Sequence, residues 1–187
     1  MEKELYFFDT EFIEDGTTID LISIGIVTST GREFYAVSTD AKLHLAGDWV
    51  RQHVLPQLPP YPAGEVKRSN VRPPSAWMPR RSIASDIAAF VKPYTKPEFW
   101  AYYADYDWVV LCQLFGTMMG LPVNFPKFAM DLKQLSVMLG SPRHPPQASG
   151  EHNALEDARW NRELYGFLKQ LEEARFGTGR VSGEEQP

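Results

Sequence analysis

Cysteine occurs once in this 187-residue chain, at Cys112, so no internal disulfide can hold the fold together. Its neighbours Val109, Val110, Leu111 and Leu114 mark it as a buried helix residue, which suits a reducing compartment and argues against a catalytic thiol. Long apolar runs are also missing. No segment is apolar enough for long enough to span a bilayer, and Met1-Glu2-Lys3-Glu4 is not a basic lead-in to a hydrophobic stretch. A cytoplasmic location without membrane contact is therefore expected. A cationic surplus is absent too: 24 acidic against 19 basic side chains give a net charge of −5. That sign excludes a broadly basic surface coating nucleic acid. It leaves room for metal-dependent phosphodiester chemistry, since two divalent cations would bring the loaded protein near −1.

What is present suffices for one substantial core, with 43% apolar and 13% aromatic residues. A single domain is expected over residues 1–176, with a disordered tail over 177–187. The most informative stretch is Leu5-Tyr6-Phe7-Phe8-Asp9-Thr10-Glu11-Phe12, an aromatic strand ending in two carboxylates. Alternate residues of a strand share a face, so Asp9 and Glu11 stand side by side and repel. No Lys or Arg nearby offers a partner, and a divalent cation would resolve the conflict. A strand simply running out into solvent is the competing reading, and an isolated D-x-E does not decide between them.

Downstream, Ile19–Val27 and Arg32–Ser38 read as strands joined by short turns, forming an antiparallel meander with the first. Leu45, Trp49 and Gln52-His53 fit one face of a short helix, and frequency alone places Trp49 in the core. Seven of the fifteen prolines fall between Pro56 and Pro79, so regular structure is not expected there. Lys67, Arg68, Arg72, Arg80 and Arg81, interleaved with Tyr61 and Trp77, make that stretch a basic rim, a subunit contact or a merely solvated loop. Ser82 is placed to cap a helix carrying Ile83, Ile87, Phe90 and Val91. A strand over Glu98–Tyr103, a helix over Asp107–Met119, a strand near Lys127–Met130 and a helix over Asp131–Leu139 then alternate. After a Pro- and Gly-rich turn over Gly140–Gly150, a last helix runs from near Asn153 to about Arg175.

That last helix opens on Glu151-His152-Asn153-Ala154-Leu155-Glu156-Asp157-Ala158, where Asn153 and Glu156 resemble a capping box. Residues five apart on a helix lie about 140° round the axis, so His152 and Asp157 meet only if His152 precedes the helix. A His in such a flank suits a base that approaches and withdraws beside a rigid carboxylate. An exposed His beside an ordinary N-terminal acid is the alternative.

In chain order, Asp9-Thr10-Glu11, Tyr106-Asp107 and His152-x4-Asp157 resemble the DEDDh family of 3′-5′ exonucleases, over about Tyr6 to Ala158. Within it the chain is most similar to the bacterial polyadenylate-specific exoribonucleases (ribonuclease AS-like). Phe8-Asp9-Thr10-Glu11-Phe12-Ile13, Leu21-Ile22-Ser23-Ile24-Gly25, Trp49-Val50-Arg51 and Leu111-Cys112-Gln113-Leu114 carry that likeness. The resemblance implies an α/β, ribonuclease H-like fold: a mixed five-stranded sheet, the meander plus parallel strands, flanked by helices. It also implies a homodimer acting on single-stranded RNA 3′ ends, and an adenine preference rests on the resemblance alone. Many members carry Asn three residues before the aromatic of the second motif; here that residue is Tyr103. Asp105 competes with Asp107, which is chosen because it follows an aromatic and leads into the apolar helix.

The residue types suit that chemistry. Two metal ions roughly 4 Å apart activate water and relieve charge on attacking and leaving oxygens. Hard oxygen ligands favour Mg²⁺ or Mn²⁺, two per site, and no Cys or His cluster suggests zinc. Asp9 would bridge both ions, Glu11 and Asp157 complete one shell, Asp107 help the other, and His152 act as general base. Phe12 stacks on the terminal base or is simply buried, and any RNA preference would come from the 2′-OH meeting polar groups near Glu11 and Ser23. Trp49 and His53 resemble the segment with which oligoribonuclease-like relatives approach the last nucleotides. A DNA-directed exonuclease and a non-catalytic RNA-binding module are the alternatives. A haloacid-dehalogenase-like phosphatase fits poorly, because Glu11 stands where that chemistry wants a second Asp.

Overall fold

A computed structural model describes residues 3–62, 76–91, 96–147 and 150–177. The basic residues Lys67, Arg68 and Arg72 and the tail over 178–187 lie outside the described residues. In chain order the elements are β1 (Lys3–Glu14), β2 (Ile19–Thr28), β3 (Glu33–Ser38), α1 (Asp48–His53), β4 (Trp77–Met78), α2 (Arg80–Phe90), β5 (Lys96–Ala101), α3 (Ala104–Leu114), β6 (Met130–Asp131), α4 (Leu132–Met138) and α5 (Ala154–Phe176). Short 3-10 turns at Leu43–Leu45 and Leu55–Gln57 flank α1. No helix among the described residues is long and apolar enough to cross a membrane.

The sheet is mixed and runs β4-β3-β2-β1-β5-β6. β1, β2 and β3 form the expected antiparallel meander, and β5 and β6 continue it in parallel from β1. Among the described residues the sheet therefore has six strands rather than five. The additional one, β4, lies inside the proline-rich stretch where regular structure was not expected. It forms because the open edge of β3 still has ladder groups to satisfy: Val37 N donates to Ala76 O and Thr39 N to Met78 O. Trp77 does not join an exposed rim. It is buried, with its indole N–H on Pro59 O.

β1 alternates between two cores, which is why it sits at the centre. Tyr6 and Phe8 pack with Ile24, Ile26 and Phe99 beneath α2 and α3, whereas Phe7 packs with Trp100, Leu132 and Leu164 beneath α4 and α5. A third cluster, Ile13, Ile22 and Val54, takes Leu43 and Val50 from the α1 region. That overturns the Leu45–Trp49 face, since α1 turns Val50 and Val54 inward and leaves Trp49 54% exposed.

Three helix boundaries also shift. α2 begins at Arg80, with Pro79 at the cap position and Ser82 N on Pro79 O, so Ser82 is not the cap. α3 begins three residues early because the Asp131 carboxylate accepts Ala104 N (2.7 Å). It ends at Leu114, before Gly116 turns left-handed (φ 85°). The strand near Lys127–Met130 shrinks to β6, with Asp131 capping α4 through Gln134 N.

Candidate active site

Asp9 and Glu11 project from the same side of β1, opposite Gly25 and Ser23 of β2, and a register shift between Glu11 and Phe12 follows at once. The ladder between β1 and β5 ends at Phe7↔Trp100, two residues short of Asp9. Beyond it the first turn of α3 takes over from the missing strand partner. Thr10 N (2.9 Å) and Thr10 Oγ1 (2.6 Å) both donate to Asp107 Oδ1. Asp107 is buried, while Asp105, about 200° round the helix, is exposed.

The third side of the site is the start of α5. Asn153 accepts from Leu155 N (3.1 Å) and Glu156 N (3.3 Å), so it caps the helix as its sequence suggests. His152 stands outside with φ 69°, and its backbone N–H reaches Asp157 Oδ2 (3.0 Å). Gln147 Nε2 donates to Asp157 Oδ1 (2.6 Å). α5 can approach this closely because β2 carries glycine at position 25; a β-carbon there would overlap the backbone of Ala154 and Leu155. Deeper along α5, buried Asn161 donates to Phe8 O (2.9 Å) and ties the helix to β1.

One oxygen each from Asp9, Glu11 and Asp157 lies within 4.8 Å of the others. Asp107 stands apart from this trio, held by Thr10, yet close enough to repel Asp9 and Glu11. Burial pushes all four carboxyls upward, with repulsion from the other acids adding to it at Asp9, Glu11 and Asp107 and from Glu151 at Asp157: Glu11 to about 8, Asp107 to about 7 against the two Thr10 hydrogen bonds, Asp9 well above its ordinary value, and Asp157 upward. For Asp157, the Gln147 amide and the nearby His152 pull the other way. Asp9, Glu11 and Asp157 converge with Asp107 beside them, and among the described residues no Lys or Arg is in hydrogen-bond contact with any of the four, a donor set that fits divalent cations such as Mg²⁺ or Mn²⁺.

Aromatic rings border the acids. Trp49 stacks on His53 (4.8 Å, 19°), and the His152 ring stands edge-on to Trp49 (4.7 Å, 79°). The structure thus brings Trp49 and His53 to His152 at the surface and not into the core. Phe12 is partly buried and lies parallel to the exposed Tyr106 (5.7 Å, 10°). Ser23 is fully buried opposite Glu11 on β2, so its hydroxyl is not open at the surface of the site.

Sequence reasoning missed Thr10, Gly25, Gln147 and Asn161. A lone glycine inside a β-branched run signals close backbone approach, so Gly25 was findable. Thr10, Gln147 and Asn161 act through partners 10 to 153 residues away and leave no local signal.

Residues 4–168 match the family described as the 3′-5′ exoribonuclease Rv2179c-like domain. The chain is 44% identical over 177 residues to the Mycobacterium tuberculosis proteins named 3′-5′ exoribonuclease Rv2179c (strain H37Rv) and 3′-5′ exoribonuclease MT2234.1 (strain CDC 1551), covering 94% of this chain and 99% of each relative. Among solved structures, the Mg²⁺- and Mn²⁺-bound form of S. pombe Pop2p is similar in fold (TM-score 0.51, 12% identity, 95% of this chain and 86% of that one). So is E. coli Exonuclease I in complex with an oligonucleotide (TM-score 0.52, 14% identity, 95% of this chain and 42% of that one). The six-stranded mixed sheet with helices on both faces is thus the fold of ribonuclease H-like exonucleases, and the chain belongs to the Rv2179c-like 3′-5′ exoribonuclease domain family.

Proposed function

We propose that this protein is a metal-dependent 3′-5′ exoribonuclease of the DEDDh type, removing nucleotides from single-stranded RNA 3′ ends and preferring adenine. The observation that carries this reading is the convergence of Asp9, Glu11 and Asp157 within 4.8 Å in a member of an exoribonuclease family. Like charges so placed are stable together when a cation neutralises them. Asp9, Glu11 and Asp157 would hold a pair of cations, with Asp107, oriented by Thr10, as the fourth carboxylate beside them. When bound, such a pair supplies a nucleophile at neutral pH and stabilises charge on the attacking and leaving oxygens.

The remaining steps belong to the protein. Thr10 and Gln147 hold Asp107 and Asp157 in fixed directions, so the acids do not reorganise when substrate arrives. His152 lies outside the helix, anchored through its backbone, which leaves its ring to take a proton from the attacking water. The Trp49–His53 pair and Phe12 offer flat faces to the terminal bases, and Glu11, paired across the strands with the buried Ser23, is the polar group at hand for a 2′-OH. Motif resemblance supports the adenine preference and a homodimer, and the lone buried Cys112 supports a cytoplasmic setting.

The test is direct. RNA and DNA labelled at the 5′ end, with free or blocked 3′ ends, are incubated with Mg²⁺, Mn²⁺ or chelator. RNA with a free 3′ end should shorten stepwise by mononucleotides only when metal is present. Internal cuts, or loss of blocked RNA, would overturn the reading, and equal consumption of DNA would transfer it to a deoxyribonuclease.

A further inference from the structure

Two of the three non-glycine residues with left-handed backbone among the described residues, Tyr103 (φ 59°) and His152 (φ 69°), immediately precede or cap the helices that bear Asp107 and Asp157. His152 has its place in the chemistry proposed above. Tyr103 does not. A bulky side chain rarely adopts that backbone, and when it does the surroundings enforce it, often beside a functional site.

The enforcement is visible. Asp131 accepts Ala104 N through Oδ2 (2.7 Å) and Gln134 N through Oδ1 (2.6 Å), so one carboxylate locks the start of α3 to the start of α4. That lock sets Tyr103 beside Lys133, whose ammonium lies 5.8 Å from the Tyr103 ring centre and 5.9 Å from that of Tyr102. Tyr102 packs edge-on against Tyr103 (4.7 Å) and against Trp160 (5.3 Å), three residues along α5 from Asp157. Tyr103 nonetheless keeps 60% of its surface exposed, and among the described residues Lys133 makes no ion pair. A rigid aromatic face and an unneutralised cation thus stand together.

Their position gives the pair a meaning. β1, β5 and β6 run parallel as neighbours, so their C-terminal ends lie along one edge of the sheet. Along that edge come first Asp9 and Glu11, then Tyr103 just past β5, then Lys133 just past β6. We propose that Tyr103 and Lys133 form a nucleotide subsite for the RNA strand upstream of the scissile bond: a base stacks on the Tyr103 ring and Lys133 takes a backbone phosphate. In this arrangement the Trp49–His53 pair, against His152, would take the terminal nucleotide. This subsite rests on the exoribonuclease reading and extends it to strand length, since only a strand that continues upstream of the scissile bond can occupy it.

The experiment measures binding of 5′-labelled oligoadenylates of two to eight nucleotides by fluorescence anisotropy, with Ca²⁺ in place of Mg²⁺. Wild-type affinity should climb with length. In Tyr103→Asn that climb should shrink by about tenfold, the order expected for one lost base–aromatic stack. Asn accepts left-handed backbone, so the variant should melt no lower than wild type. Tyr103→Phe should bind as wild type does. Lys133→Gln should flatten the slope of log affinity against log salt by about 0.7, the signature of one single-strand phosphate contact. Wild-type protein that binds RNA of no length would sink the subsite together with the exoribonuclease reading. Wild-type protein that binds and trims RNA, while Tyr103→Asn keeps its full length dependence and Lys133→Gln its salt slope, would sink the subsite alone.

Discussion

Replacing Glu11 with Gln should stabilise the metal-free protein while weakening its response to metal. The carboxyl is pushed from 4.5 to about 8 by burial, by Asp157 and by Asp107. Its folded value lies above its unfolded one, so between those limits the folded chain retains a proton that the unfolded chain has released. Stability from this group therefore falls as pH rises through the window, with no penalty below about 4.5 and the whole penalty present above about 8. Taken alone, that shift would amount to about 5 kcal/mol at ~1.4 kcal/mol per unit. The four acids share the repulsion, and a proton held between Glu11 and Asp157 relieves both, so removing one charge should recover about 1–3 kcal/mol. In a chain of this size that is roughly 2–12 °C in Tm. Thermal melts followed by circular dichroism, in chelator at pH 5 and pH 8.5, measure it. The gain should be near zero at the lower pH and full at the higher one. With Mn²⁺ added at pH 8.5 the wild type should rise and the variant lag. A Gln variant that melts below wild type in chelator at pH 8.5, or a gain independent of pH, would refute the account of the cluster as a charge conflict awaiting a cation.

Other outcomes follow from the same geometry. Gly25→Ala should force the first turn of α5 off the sheet, costing about 1–3 kcal/mol by overpacking and most of the metal-induced Tm shift; an unchanged shift would show that the close approach is dispensable. His152→Ala should lose most turnover, at least ~100-fold, yet keep the Mn²⁺-induced shift, and loss of that shift would recast His152 as a ligand. Asp107→Ala should abolish metal-dependent RNA trimming while Asp105→Ala retains it, and the reverse pattern would move the role to the exposed acid. Thr10→Val should lower activity without unfolding the chain, because it leaves Asp107 with one donor in place of two; wild-type turnover in that variant would deny Thr10 an orienting role.

Local chemistry was written in neighbouring residues and could be read from them. The alternation of Phe7, Asp9 and Glu11, the β-branched meander, the Asn153 cap and the placement of His152 before α5 all depend on residues within a turn or a strand of one another. The proline-rich stretch misled because proline content describes a segment's own preference, whereas β4 forms from what the edge of β3 lacks. Trp49 misled in the same way: frequency favours burial, but α1 had Val50 and Val54 to bury and turned Trp49 out.

By itself the sequence determined which acids were available, which pairs stood on one face, and that their hard-oxygen chemistry suits a divalent cation. The sequence pattern favoured Asp107 over Asp105, but only the tertiary structure decided what fixes Asp107, because Thr10, 97 residues away, supplies its hydrogen bonds. It alone decided that α5 docks on Gly25 closely enough to carry Asp157 to Asp9. The reason is physical: strand and helix periodicities are local and repeat in the chain, but the distance between two distant side chains is set by how tightly the elements beneath them pack.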